Sequence, residues 1–175
     1  MKKMISILLV AGAGFYTLAW ADMDHPMPAR TYTKELEQVK RLAGKWSGMS
    51  MQSDGKTQPV SVEYRVIAGG SAVEERLMCN SEHEMVDMYD DQDGKLEMTH
   101  YCALGNRPHM MVKSADAKQI SLEMGPTPGI DASKDQHMHA LTLEFKDADH
   151  LTQKWTSYEN GKAGGTVTFT LARAK

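Results

Sequence analysis

After Gly44, apolar and polar positions alternate with a period of two over most of the chain. Only one earlier stretch carries a helical period. That stretch starts at Thr33, where Leu36, Val39, Leu42 and Ala43 form an apolar stripe. Thr33 stands in the cap position, Glu35 and Glu37 in the first turn, Lys40 and Arg41 in the last, and Gly44 follows as a stop. One helix of about three turns is predicted. Strands are predicted near Lys45–Met51, Val60–Ala68, Ala72–Cys79, Glu84–Asp90, Leu96–Ala103, Arg107–Ser114, Gln119–Met124, His137–Phe145, Leu151–Glu159 and Thr166–Arg173. Asp54-Gly55, Gly69-Gly70, Asp93-Gly94 and Asn160-Gly161 carry hairpin-turn chemistry between them. About ten even strands after one short helix point to an all-β fold, a single antiparallel barrel whose closure removes exposed strand edges. The long connection from Gly125 to Gln136, with Pro126, Pro128 and Gly129, reads as a rim loop or lid.

The N-terminus follows another pattern. Lys2 and Lys3 precede an apolar run from Met4 to Leu18, and Ala19-Trp20-Ala21 offers a small-x-small cleavage site. Residues 1–21 therefore read as a secretory signal peptide, residues 22–31, with Pro26 and Pro28, as a flexible leader, and residues 32–175 as the barrel domain. The expected compartment is the periplasm, with no transmembrane anchor once the signal is removed. Cleavage takes two lysines and no acid, so the formal charge moves from −3 to −5. With no basic excess to neutralise phosphates, nucleic acid is not an expected partner. The 41% hydrophobic and 25% charged content excludes wholesale disorder.

Alternation also sorts the strand faces. The inward sets are Val62, Tyr64 and Val66; Val73, Glu75, Leu77 and Cys79; Leu96, Met98, His100 and Cys102; His137, His139, Leu141, Leu143 and Phe145; and Leu151, Gln153, Trp155 and Ser157. Buried polar groups must meet each other, water, a metal or a ligand. The expected ligand site is thus Tyr64, Glu75, Met98, His100, Cys102, His137, His139, Gln153 and Trp155, lining an interior that takes a small, mostly apolar molecule. The bland alternative is a satisfied hydrogen-bond network at a wet barrel end.

His137-x-His139 places two imidazoles on one strand, so a zinc or copper site at His100, His137 and His139 is the alternative reading. Fourteen methionines against three phenylalanines, with Met-His clusters at 24–27, 83–85 and 109–111, also suit copper. Their positions on alternating faces make soft core filler the simpler account. Cys79 and Cys102 lie on strands separated by a third, and the spacing leaves disulfide and free thiols both open. Cys102 and His100 form the best nucleophile pair, but no third residue orients them, and no catalytic motif is present.

Leu42-Ala43-Gly44-Lys45-Trp46, His83-Glu84-Met85-Val86, Thr99-His100-Tyr101-Cys102, Gly105-Asn106-Arg107-Pro108, His137-Met138-His139 and Asp147-Ala148-Asp149-His150-Leu151 occur in an ordered series. In that series the chain resembles a family of secreted bacterial proteins of unknown function. The resemblance implies a calycin-like barrel, similar to fatty-acid-binding proteins and to the haem-binding nitrobindin. It implies haem as a third candidate, with His150 or the His137/His139 pair as iron ligand, beside a transition metal as cofactor.

Overall fold

The structure, a computed structural model, describes residues 30–175. The signal-peptide reading and all but the last two residues of the leader lie outside the described residues. Helix α1 (Lys34–Lys40) is followed by ten strands. These are β1 (Gly44–Gln52), β2 (Thr57–Ile67), β3 (Ala72–Leu77), β4 (Met85–Gln92), β5 (Lys95–Tyr101), β6 (His109–Ala115), β7 (Gln119–Met124), β8 (His137–Phe145), β9 (His150–Glu159) and β10 (Lys162–Arg173). Each strand pairs antiparallel with its sequence neighbours, and β1 pairs with β10 to close the barrel. The closing register runs from Trp46 opposite Arg173 to Gln52 opposite Val167. Closure is tight at Gly48, where an added Cβ would stand 1.9 Å from the Thr170 carbonyl oxygen.

The helix is shorter than the three turns predicted, at seven residues. The amide groups of Leu42 and Ala43 bond three residues back, to Val39 and Lys40, so the last turn tightens before Gly44. The indole N–H of Trp46 donates to Leu42 O at 2.7 Å. Arg173 donates to the carbonyls of Arg41 and Ala43. These bonds satisfy helix-end carbonyls that would otherwise be orphaned and tie the helix to both closing strands. Leu36 and Val39 are fully buried beneath the helix. No helix among the described residues is long and apolar enough to cross a membrane.

At the other helix end, Thr33 Oγ1 accepts from Leu36 N at 3.1 Å. The same hydroxyl donates to Asp91 Oδ1 at 2.7 Å, and Thr33 N donates to Asp91 Oδ2 at 2.7 Å. The cap therefore also anchors the helix to β4. Thr33→Ala is expected to lower stability by about 1 kcal/mol, or somewhat more because the Asp91 contact goes too. A urea titration measures this, and an unchanged midpoint would show that the cap does not hold the helix down.

Two strands end earlier than alternation predicted. β3 stops at Leu77, and positive φ at Met78 (54°) and Asn80 (62°) turns the chain away. Cys79 is therefore not an inward strand residue but sits half-buried in the turn. β5 stops at Tyr101, leaving Cys102 half-buried at the barrel end. The two sulfurs are not bonded to each other.

Candidate functional site

Register brings Tyr64, Glu75, Asp87 and His100 into one row across β2, β3, β4 and β5. Tyr64 stands opposite Glu75, Glu75 opposite Asp87, and Asp87 opposite His100. All four are buried, Glu75 and Asp87 completely. From across the barrel, β9 sends in Gln153 and Trp155. Gln153 Nε2 donates to the Tyr64 hydroxyl at 2.6 Å and to Glu75 Oε1. The Tyr89 hydroxyl donates to Glu75 Oε2 at 2.7 Å, and Trp155 Nε1 donates to Gln153 Oε1 at 3.1 Å. Burial first, and then the charge of Asp87, push the Glu75 carboxyl up to about 8. At neutral pH Glu75 thus holds a proton, and this half of the row is a neutral, satisfied network.

The other half is charged. Asp87 Oδ1 lies 2.6 Å from His100 Nδ1. Burial opposes charge on the imidazole, but the carboxylate, by its charge and its hydrogen bond, carries His100 up to about 10. Nδ1 then donates to Asp87. Two atoms of this pair, Asp87 Oδ2 and His100 Nε2, are buried without a hydrogen-bond partner. Most buried polar atoms in folded proteins have one, so these two mark the place where the interior is chemically incomplete. The His100 ring lies against Trp155, with centroids 4.9 Å apart. Met98, fully buried, is the preceding inward residue on β5. Cys102, just past the end of β5, is half-buried two residues beyond His100.

The remaining two predicted residues are elsewhere. Alternation placed His137 and His139 in the interior with Leu141, but β8 carries a bulge between Met138 and Ala140. One extra residue reverses the faces beyond it. Met138 now packs against the core. His137 is paired with Tyr158, which lies on the face opposite Trp155. His139 stacks on Tyr158 with centroids 3.8 Å apart and lies 3.7 Å from Glu123. His137 Nε2 and His139 Nδ1 are 3.2 Å apart, so the two imidazoles bond each other on the Tyr158 face of the sheet, where His137 is nonetheless fully buried and His139 partly so. The Gly125–Gln136 connection folds back toward this cluster. Asn160 N donates to Lys134 O, and Asn106 Nδ2 donates to Gln136 O.

The metal set of His100, His137 and His139 is therefore not assembled. Among the described residues no three His, Cys, Asp or Glu side chains gather as a group able to hold an ion. Tyr64, Tyr89, Met98, Met110 and Trp155 are buried in the interior. His150 points to solvent beside Asp147, 2.9 Å away.

Sequence alternation missed Asp87 and Tyr89. On β4 both faces carry apolar and acidic residues, Met85-Asp87-Tyr89 on one and Val86-Met88-Asp90 on the other, so pattern alone does not choose. The usable signal is register: Glu75, already inward, stands opposite Asp87 across a hairpin.

No protein-family model matches the chain, and no curated protein matches it. Solved structures do. One is a protein of unknown function from the DUF3598 family of Nostoc punctiforme, 11% identical, with a TM-score of 0.53. The match covers 78% of this chain and 49% of that one, so this chain spans about half its length. A redesigned β-barrel, mFAP1, bound to DFHBI, is 14% identical over 77% of this chain and 97% of that one, with a TM-score of 0.40. A related barrel, EF1p2_mFAP2b bound to DFHBI, is 11% identical over 79% and 98%, with a TM-score of 0.41. At these identities the Nostoc likeness shows the fold alone: a β-barrel shared with an uncharacterised family.

Proposed function

We propose that this protein is an exported barrel that binds a small, mostly apolar ligand at the His100 end of its interior. The observation that carries this reading is the buried, unpartnered Nε2 of His100, held in place by Asp87. A fixed N–H donor in an apolar surround recognises one acceptor oxygen, and an unpaired buried donor costs about 1–3 kcal/mol that a ligand would recover. Trp155 and Met98 supply the apolar contact. The tightly packed network of Tyr64, Glu75, Tyr89 and Gln153 forms the floor and limits ligand size. The signal-peptide pattern at residues 1–21 supports export.

Titration with a panel of short-chain fatty acids and aromatic carboxylates, followed by tryptophan fluorescence and native mass spectrometry, tests the reading. Saturable quenching and a one-to-one complex are expected. His100→Gln is expected to weaken the Kd by about tenfold, the cost of one buried hydrogen bond. A panel that leaves the wild-type protein bare, together with protein from its own cells that carries no bound molecule, would sink the proposal.

A further inference from the structure

The ligand reading makes no use of the paired histidines or of the connection beside them. Gly125–Gln136 runs along the rim at the barrel end where β7 finishes and β8 begins. At its start, Gly125 N donates to His109 O at 2.9 Å, and Thr127 Oγ1 accepts from His109 N at 3.1 Å. At its finish, three successive carbonyls are held by donors from outside the connection. Lys134 O accepts from Asn160 N at 3.2 Å, Asp135 O from His137 Nδ1 at 2.8 Å, and Gln136 O from Asn106 Nδ2 at 2.8 Å. Of these three donors, His137 alone titrates near neutral pH, and it alone is fully buried.

Tautomers follow from the partners. A carbonyl oxygen only accepts, so His137 Nδ1 carries a hydrogen. In the neutral ring Nε2 then has a lone pair, and His139 Nδ1, 3.2 Å away, donates into it. The space between the rings holds one hydrogen. A second would set two N–H groups against each other at that distance. It would also place two positive charges side by side, one of them shut off from water. We infer that the His137–His139 pair is an acid-operated latch on the Gly125–Gln136 connection, closed while one hydrogen lies between the rings and released when both imidazoles are charged. To reach water, the charged His137 ring must leave its place, and its bond to Asp135 O goes with it. The end of the connection then lifts from the rim while the barrel strands stay paired. The latch needs no ligand to work.

The groups around the pair set how far it resists charge. From β7, Glu123 Oε1 lies 3.7 Å from His139 Nε2 and favours a proton there. From β6, Lys113 Nζ lies 2.8 Å from Oε2 of the same carboxylate and offsets it. From β9, the Tyr158 ring stacks on His139. Within the connection, the Asp135 carboxylate is engaged by Asp131 N at 2.7 Å, and Asp131 pairs with Lys134 at 2.9 Å. Burial, and then the neighbouring His137, hold the His139 imidazole below its usual value. The pair is therefore uncharged at neutral pH and takes up charge only in acid.

Hydrogen exchange of the full chain tests the latch, read by mass spectrometry at about pH 7.5 and about pH 5 and corrected for the intrinsic rate at each pH. Peptides spanning 131–137 and 158–162 are expected to exchange about tenfold faster or more in acid, while β3 keeps its protection. His139→Gln offers His137 Nε2 an uncharged donor, so the gain in acid is expected to vanish and the connection to stay closed at both pH values. Glu123→Gln removes the carboxylate that favours charge on His139, so opening is expected to move to lower pH. Equal protection of the wild-type connection at both pH values overturns the proposal, as does a gain that persists unchanged in His139→Gln or that spreads equally to β3. If His139→Gln leaves the connection open at both pH values, the Glu123→Gln midpoint decides: a shift to lower pH supports the latch, and an unmoved midpoint overturns it.

Discussion

Glu75→Gln is expected to flatten the fall in stability that the wild-type protein shows between about pH 5 and pH 8. In the folded barrel Glu75 titrates at about 8, against 4.5 for the free group. Between these values the native state holds a proton that the unfolded chain has released. Stability from this group is complete below the unfolded value and is lost as pH rises through the folded one. One proton of difference corresponds to about 1.4 kcal/mol per pH unit. His100 adds to the same trend: its folded value of about 10 lies above 6.5, so its contribution is complete below 6.5 and lost as pH rises toward 10. On the acid side the sign reverses. Arg76 and the amide of Asn80 hold Glu84 below its usual value, and the amide of Asp149 and the His150 ring do the same for Asp147. Those contributions exist above the unfolded carboxylate range and disappear as pH falls through the folded values. Maximum stability is therefore expected near about pH 5, below the usual neutral range. Urea midpoints measured across pH give the profile. The substituted amide keeps an acceptor and a donor for Tyr89, Gln153 and Tyr64 without the titration, so the variant should be flat from about pH 5 to 6.5, fall about half as steeply as wild type from there to about pH 8, and keep the decline above it. Parallel profiles for the two proteins would show that Glu75 is ionised in the fold.

Gly48→Ala is expected to destabilise the barrel by about 3 kcal/mol or more, lowering Tm by roughly 10 °C. The added methyl would meet the Thr170 carbonyl at 1.9 Å and the Leu171 Cα at 3.1 Å, both backbone atoms of β10. A backbone neighbour cannot swing away as a side-chain tip can. Relief requires parting β1 from β10 near the Gly48–Leu171 pair, which is the seam that closes the sheet. The effect is thus on closure as well as on local packing. A thermal melt within a few degrees of wild type would show that the seam yields more easily than its geometry implies.

Several features of the site were legible before any coordinates. Strict alternation put Glu75, His100, Gln153 and Trp155 inside because their strands carry regular pleat and an unambiguous apolar face. The helix stripe and its Thr33 cap were readable for the same local reason. His137 and His139 were misplaced because a bulge adds one residue without any marker in the pattern, and period-two reasoning cannot detect a lost register. Cys79 was misplaced because backbone turns at Met78 and Asn80, neither a glycine, end β3 early. Asp87 escaped because β4 has two equally mixed faces.

The linear order of apolar and polar residues determined a ten-strand antiparallel barrel with one helix, and a polar interior. Periodicity acts over a few residues and needs no partner to be read. Only tertiary structure decided what that interior does. It divided the polar residues into a neutral network around Glu75 and an ion pair at Asp87 and His100. It also turned the two paired histidines to the Tyr158 face of the sheet, with His137 still fully buried there. Those outcomes depend on which residues stand opposite each other across strands and across the barrel. That register is set by closure and bulges, through contacts between residues far apart in the chain.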